Sequence, residues 1–166
     1  MLGVIIAERK GDGDRVLAAL ADRLAAQGLR LAGAVQENLD CGADRPCDMD
    51  LRLLGHGARV RISQSLGPMS QGCRLDADGV ERAAGIAASV LAMGADLLIV
   101  NKFGKQEVEG GGFRQLIGQA LSAGIPVLTQ VKPVNRAAFD AFAGGLADPL
   151  PPDPQALEDW LAAQRG

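Results

Sequence analysis

Tyrosine is absent from the sequence, tryptophan occurs once, and aromatic residues together make up only 3%. Proteins that hold unpaired bases stack them on such rings, so the scarcity argues against single-stranded nucleic acid as a partner. Positive charge is not in excess either: 17 Lys and Arg stand against 20 Asp and Glu, for a formal net charge of −3. A duplex-binding surface needs the opposite balance. The sequence holds one His and three Cys. Cys41, Cys47, Cys73 and His56 miss the ligand spacings of zinc sites, and an odd number of cysteines does not close into a disulfide framework. No apolar run approaches the roughly 20 residues of a membrane span. The opening MLGVIIAERKGDGD lacks the basic start and small-residue cleavage site of a secretory signal. The expectation is a cytoplasmic protein with neither a membrane nor a nucleic-acid partner.

What is present is glycine, alanine and short buried runs. With 22 Gly, 27 Ala, 48% hydrophobic and 22% charged residues, a chain of 166 residues reads as one ordered domain over 1–166. Residues 2–8 form a β-branched run without polar alternation, as in a strand buried on both faces. Turn chemistry at 10–13 precedes a helical pattern over 14–28, with Asp14 as its expected N-cap and Gly28 just past its end. A strand over 29–36 completes a βαβ unit and implies a parallel sheet. Polar–apolar alternation at 48–55 and 58–65 predicts a half-exposed hairpin. Further signals predict helices from about 76 to 94 and over 111–124, strands over 95–101 and 126–131, and a short helix at 135–145. A Pro-rich link, DPLPPDP, tethers a terminal helix with Leu157, Trp160 and Leu161, so 148–166 reads as an appended helix. The fold class is α/β: three layers, α/β/α, around a mostly parallel sheet with a β-hairpin insert.

Three segments carry candidate chemistry. The first is Lys10, Gly11, Gly13 and Asp14, in the turn between the first strand and its helix, where open parallel sheets bind ligands. A Walker A loop needs G-x-x-x-x-G-K-[ST], but here Gly13 and Asp14 stand where Lys and a hydroxyl belong. Asp12 and Asp14 also add negative charge where a triphosphate would lie, so ordinary ATP binding is disfavoured. The second segment is 101–114, NKFGKQEVEGGGFR, which leaves the carboxyl end of an apolar strand. Its candidates are Asn101, Lys102 and Lys105 for charge and polarity, with Gly111 and Gly112 as backbone donors. The third is the hydroxyl- and glycine-rich run 63–74, in which Arg74 could add a guanidinium to an oxyanion site.

These segments together, with LAGAVQEN at 31–38, CDMDLR at 47–52, LGPMSQGCRLD at 66–76 and NKFGKQEVEGGGFR at 101–114, resemble a bacterial family of unknown function. That family is related to the P-loop nucleoside-triphosphatases of thermophiles, and its genes often lie beside molybdate-uptake genes. The resemblance covers about residues 2–131 and implies a P-loop-NTPase-like sheet. In the triphosphatases the matching strand edge reads like D-E-I-G-K-M-E. Its first acid holds magnesium through water, and the next Glu positions the attacking water. Asn101 and Lys102 occupy those places here, followed by matching Gly104, Lys105 and Glu107.

Both halves of the hydrolytic machinery therefore depart from the pattern together. The expected function is a non-hydrolysing binding protein for a small anion, with molybdate, another oxyanion or a nucleotide as the candidate ligand. Two other readings compete with it. One is a residual nucleoside-triphosphatase using Asp12, Asp14 or Glu107 as a magnesium ligand; the other is a homo-oligomeric adaptor with a vestigial site and Trp160 at its seam.

Overall fold

A computed structural model describes residues 1–38, 48–64 and 75–166. The first unit is the one the apolar pattern predicts: β1 (Leu2–Ile6), α1 (Asp12–Ala26) and β2 (Leu31–Asn38). A hairpin follows, β3 (Met49–Leu53) and β4 (Arg59–Arg61), then α2 (Ala77–Ala92) and β5 (Leu97–Val100). After β5 come a single turn, α3 (Lys105–Val108), then α4 (Arg114–Ser122) and β6 (Val127–Val131). The last part holds a 3-10 turn at Pro133–Asn135, α5 (Arg136–Ala143), β7 (Ala147–Leu150) and α6 (Pro154–Arg165).

Among the described residues the strands form one seven-stranded sheet in the order β4-β3-β2-β5-β6-β1-β7. β2, β5, β6, β1 and β7 run parallel, and β3 and β4 continue the sheet antiparallel beyond β2. Strand alternation splits the core into two layers. Leu98 and Val100 join Ala83, Ala87, Leu116, Ile117 and Phe139, which come from α2, α4 and α5. Leu97 and Ile99 point the other way, onto Leu17, Leu20 and Leu24 of α1 and Leu157 and Leu161 of α6. The hairpin alternates as expected. Leu51, Leu53 and Val60 are buried under α2, while Arg52 and Arg59 both reach Glu37 on β2. Charges on an edge strand discourage further strand pairing.

Three expectations need correction. Asp14 is not the cap of α1: the helix begins at Asp12 behind Gly11, whose φ of 83° needs no Cβ, and Asp14 is buried inside the first turn. The helix expected over 111–124 begins only at Arg114, and a separate turn, α3, precedes it. The Pro-rich link is not a mere tether, since Ala147–Leu150 pairs in parallel with β1. Pro149 is tolerated there because β7 is an edge strand and one side of it needs no donor. Trp160 of α6 packs on the inner layer and its Nε1 donates to Asp148 Oδ2 at 2.9 Å, which fastens the helix to that edge. Arg23 of α1 adds a bond to Glu158 at 2.5 Å.

Gly33 sits in the middle of β2 at φ 103°, and a Cβ there would overlap the carbonyl of Ile99 on the neighbouring strand. Gly28, at φ 86°, has nothing near its missing Cβ. Gly33→Ala should therefore cost clearly more than the roughly 1–2 kcal/mol of a left-handed alanine. Thermal melts should show Gly33→Ala well below Gly28→Ala; equal losses would mean the close strand approach carries no strain.

Candidate functional site

In the parallel part of the sheet β1, β2, β5 and β6 all end at one edge, and the residues just beyond them are the polar ones. Past β5 the chain alternates: Asn101 and Phe103 turn inward, 4% and 0% exposed, and Lys102 between them turns toward the edge. Phe103 fixes this alternation. Its ring lies 5.2 Å from that of Phe139 and 5.1 Å from that of Phe142, and its amide donates to the Gln130 carbonyl at 2.8 Å.

Asp14 is the centre of the edge. Its Oδ1 accepts from Asn101 Nδ2 at 2.9 Å and from Gln130 Nε2 at 2.7 Å. Asn101 in turn accepts from the Gln36 amide at 2.8 Å. One carboxylate thus ties the first turn of α1 to the ends of β5, β6 and β2. Gly13 makes room for it, because a Cβ at that position would collide with the Gln130 side chain. No side chain caps α1, so its first-turn amides face the edge without a side-chain acceptor.

Above this floor opens a cavity of about 780 Å³. Four cations line it, Arg9, Lys10, Lys102 and Lys132, against the carboxylates Glu8 and Asp14. Burial presses the Lys102 ammonium below the usual lysine value, Asp14 and Glu107 pull it back up, and Lys132 and Lys10 push it further down. The ammonium groups are thus near enough to repel one another, and the arrangement is relieved by an anion.

Other expected residues do different work. Lys105 is exposed and lines a smaller chamber beside the cavity. Gly111 and Gly112 line neither space. The Gly112 amide donates to Glu81 at 2.6 Å, and the Gly111 amide donates to the Gln106 carbonyl at 2.8 Å. Their lack of side chains makes room for the carboxylates of Glu107 and Glu81. Glu107, 4% exposed, accepts from the Gly104 and Phe113 amides at 2.9 and 3.0 Å, and burial pushes its carboxyl up. It braces the loop instead of facing the cavity. Arg114 turns away to the Phe142 ring, 5.0 Å from its centre. Arg74 and the three cysteines lie outside the described residues, and among the described residues no group of His, Cys, Asp and Glu could hold a metal ion.

Sequence reasoning missed Gln130, Lys132 and Gln36. A signal existed: Lys132 directly follows the buried run VLTQV, the same placement that singled out Lys102 after ADLLIVN.

A buried ammonium with a lowered folded-state value costs stability below that value, and stability rises with pH through the window between the folded value and 10.5. Lys102→Met should therefore melt at or slightly above the wild-type temperature near neutral pH, and the gap should close as pH rises toward the ordinary lysine range. A wild type that instead loses ground to Lys102→Met as pH climbs would contradict the buried ammonium.

The family profile described as "Protein of unknown function (DUF2478)" matches residues 2–160. The chain is 36% identical over 159 residues to "Molybdenum import ATP-binding protein ModC 2" of Bradyrhizobium diazoefficiens, covering 96% of this chain but 18% of that protein. The chain thus spans under a fifth of the length of that curated relative. Its fold matches the crystal structure of THEP1 from the hyperthermophile Aquifex aeolicus with a TM-score of 0.69 at 16% identity, covering 98% of this chain and 96% of that one. The sheet and its helices are accordingly of the P-loop-NTPase-like α/β kind, and no described helix is long and apolar enough to cross a membrane. With the profile match running nearly end to end, the chain belongs to the DUF2478 family.

Proposed function

We propose that the edge cavity binds a small oxyanionic ligand, either molybdate or another bare oxyanion or the phosphates of a nucleotide, and does not hydrolyse it. The observation that carries this reading is Lys102, half-buried over the Asp14 floor, with Lys10 and Lys132 close enough to depress its ammonium. A desolvated cation next to other cations gains most from an anion held without its water.

Hydrolysis needs a metal to neutralise developing charge and a group to place the attacking water. The carboxylates offered by the competing triphosphatase reading are all engaged. Asp12 pairs with Arg15, Asp14 holds the Asn101 and Gln130 amides, and Glu107 caps two backbone amides. The similarity to a protein named for molybdenum import supports a place in molybdenum handling.

Isothermal titration of the full chain with molybdate, tungstate, phosphate, ATP and GTP tests the reading. At least one should bind at one site per chain. Lys102→Ala should weaken it by about ten- to hundredfold, the usual effect of losing one charge-assisted contact, and Lys132→Ala should weaken it less. Arg165→Ala, whose guanidinium faces Asp96, should change nothing. No heat and no thermal shift with any of the five would end the proposal. ATP and GTP with magnesium should release no phosphate, and release that disappears in Asp14→Asn would restore the triphosphatase.

A further inference from the structure

The edge cavity has a neighbour. A second chamber of about 280 Å³ shares Gln36, Met49, Lys102 and Lys132 with it, so the two adjoin across the Lys102 side chain. Their linings differ in kind. The first is dominated by charge, whereas the second has a wall of Leu51, Ile62, Val80 and Phe113, contributed by β3, the end of the hairpin, α2 and the turn before α4. A bare tetrahedral oxyanion would use only the first and make no contact with the second. A pocket that joins an apolar wall to a few convergent polar groups is the usual form of a site for an organic ligand.

We infer that the second chamber is a subsite for the ring of a phosphate-bearing heterocyclic or aromatic compound, with Lys102 at the junction between ring and phosphate. This rests on the reading of the first cavity as an anion site. The ring would lie against Leu51, Val80 and Phe113. Glu107 borders the chamber, but its two carboxylate oxygens are taken by the Gly104 and Phe113 amides. Recognition of polar ring atoms therefore falls to Gln106, half-buried, and Lys105, exposed, both on the same lining. The subsite selects for an organic phosphate over a free oxyanion, because only the former covers both linings at once.

Titration of the full chain with inorganic phosphate, phenyl phosphate and guanosine monophosphate tests this. Phenyl phosphate and the nucleotide should bind at least tenfold tighter than phosphate. Val80→Phe, which fills the chamber, should remove that advantage and leave phosphate affinity unchanged. In wild-type protein, methyl resonances of Val80 and Leu51 should shift with phenyl phosphate and not with inorganic phosphate, a readout that does not depend on the variant folding. Equal affinities for all three probes, with those methyls unmoved and Lys102→Ala still weakening phosphate, would overturn the subsite and leave the anion site standing. An advantage that survives in a folded Val80→Phe would overturn it as well. If none of the three probes binds, the subsite falls, and the anion site falls with it only if molybdate and tungstate also fail to bind.

Discussion

The carboxyl edge of the sheet is held together by one buried carboxylate. Asp14 is 8% exposed, and two side-chain amides from different strands converge on the same oxygen. A charge at that depth is made tolerable by these bonds, and a neutral replacement would leave Asn101 and Gln130 competing for a weaker partner. The bonds also set positions. They hold the first turn of α1 against the ends of β5 and β6 and so fix where Lys10 and Lys102 sit across the cavity. Glycine at position 13 follows from the same constraint, since the Gln130 side chain occupies the space a Cβ would need.

Charge at the edge is layered accordingly. The Asp14 carboxylate attracts the Lys102 ammonium, while Lys132 and Lys10 oppose it. Such an arrangement is not optimised for the empty protein. A lysine kept partly out of water at the mouth of a cavity gives up some stability, the pattern expected where a residue is held for a ligand. The brace built by Glu107, Gly111 and Gly112 serves the same end from behind, because it shapes the turn that leaves β5 without contributing a group to the cavity.

Much of the fold was legible because its signals are local. A buried strand such as LLIV lacks polar residues, Asp76 accepts from the Asp78 amide at the start of α2, and Gly28 stands at positive φ just beyond α1. The elements that escaped have signals that point elsewhere. ADPL reads as a turn by composition, and becomes β7 only because β1 offers it a free edge and Trp160 anchors Asp148. Asp14 reads as a cap because aspartate so often is one. Its actual role depends on Asn101 and Gln130, which lie 87 and 116 positions away along the chain. The same distance hid Gln130. Nothing near it in sequence reveals that β6 lies between β5 and β1. Lys102 and Asn101 could be found because their own strand announces its carboxyl end. Gly111 and Gly112 look like anion-facing amides in sequence, and only the fold shows that their amides are spent within the protein.

The placement of β1 also sets an order of events during synthesis. β1 is made before the other six strands of this sheet, yet its neighbours are β6, at Val127–Val131, and β7, at Ala147–Leu150. While the ribosome is producing β2 to β5, the nascent N-terminal strand has neither edge partner available. Its apolar residues Leu2, Val4 and Ile5 must wait through most of translation for the strands that cover them. Closing so long a loop is entropically slow, and an unpaired apolar strand is prone to wrong pairing in the interval. The hairpin side of the sheet can assemble early, but the loop carrying Lys10 and Gly13 gains its place only when β6 arrives with Gln130. Completion of this edge of the sheet thus waits for the arrival of β6.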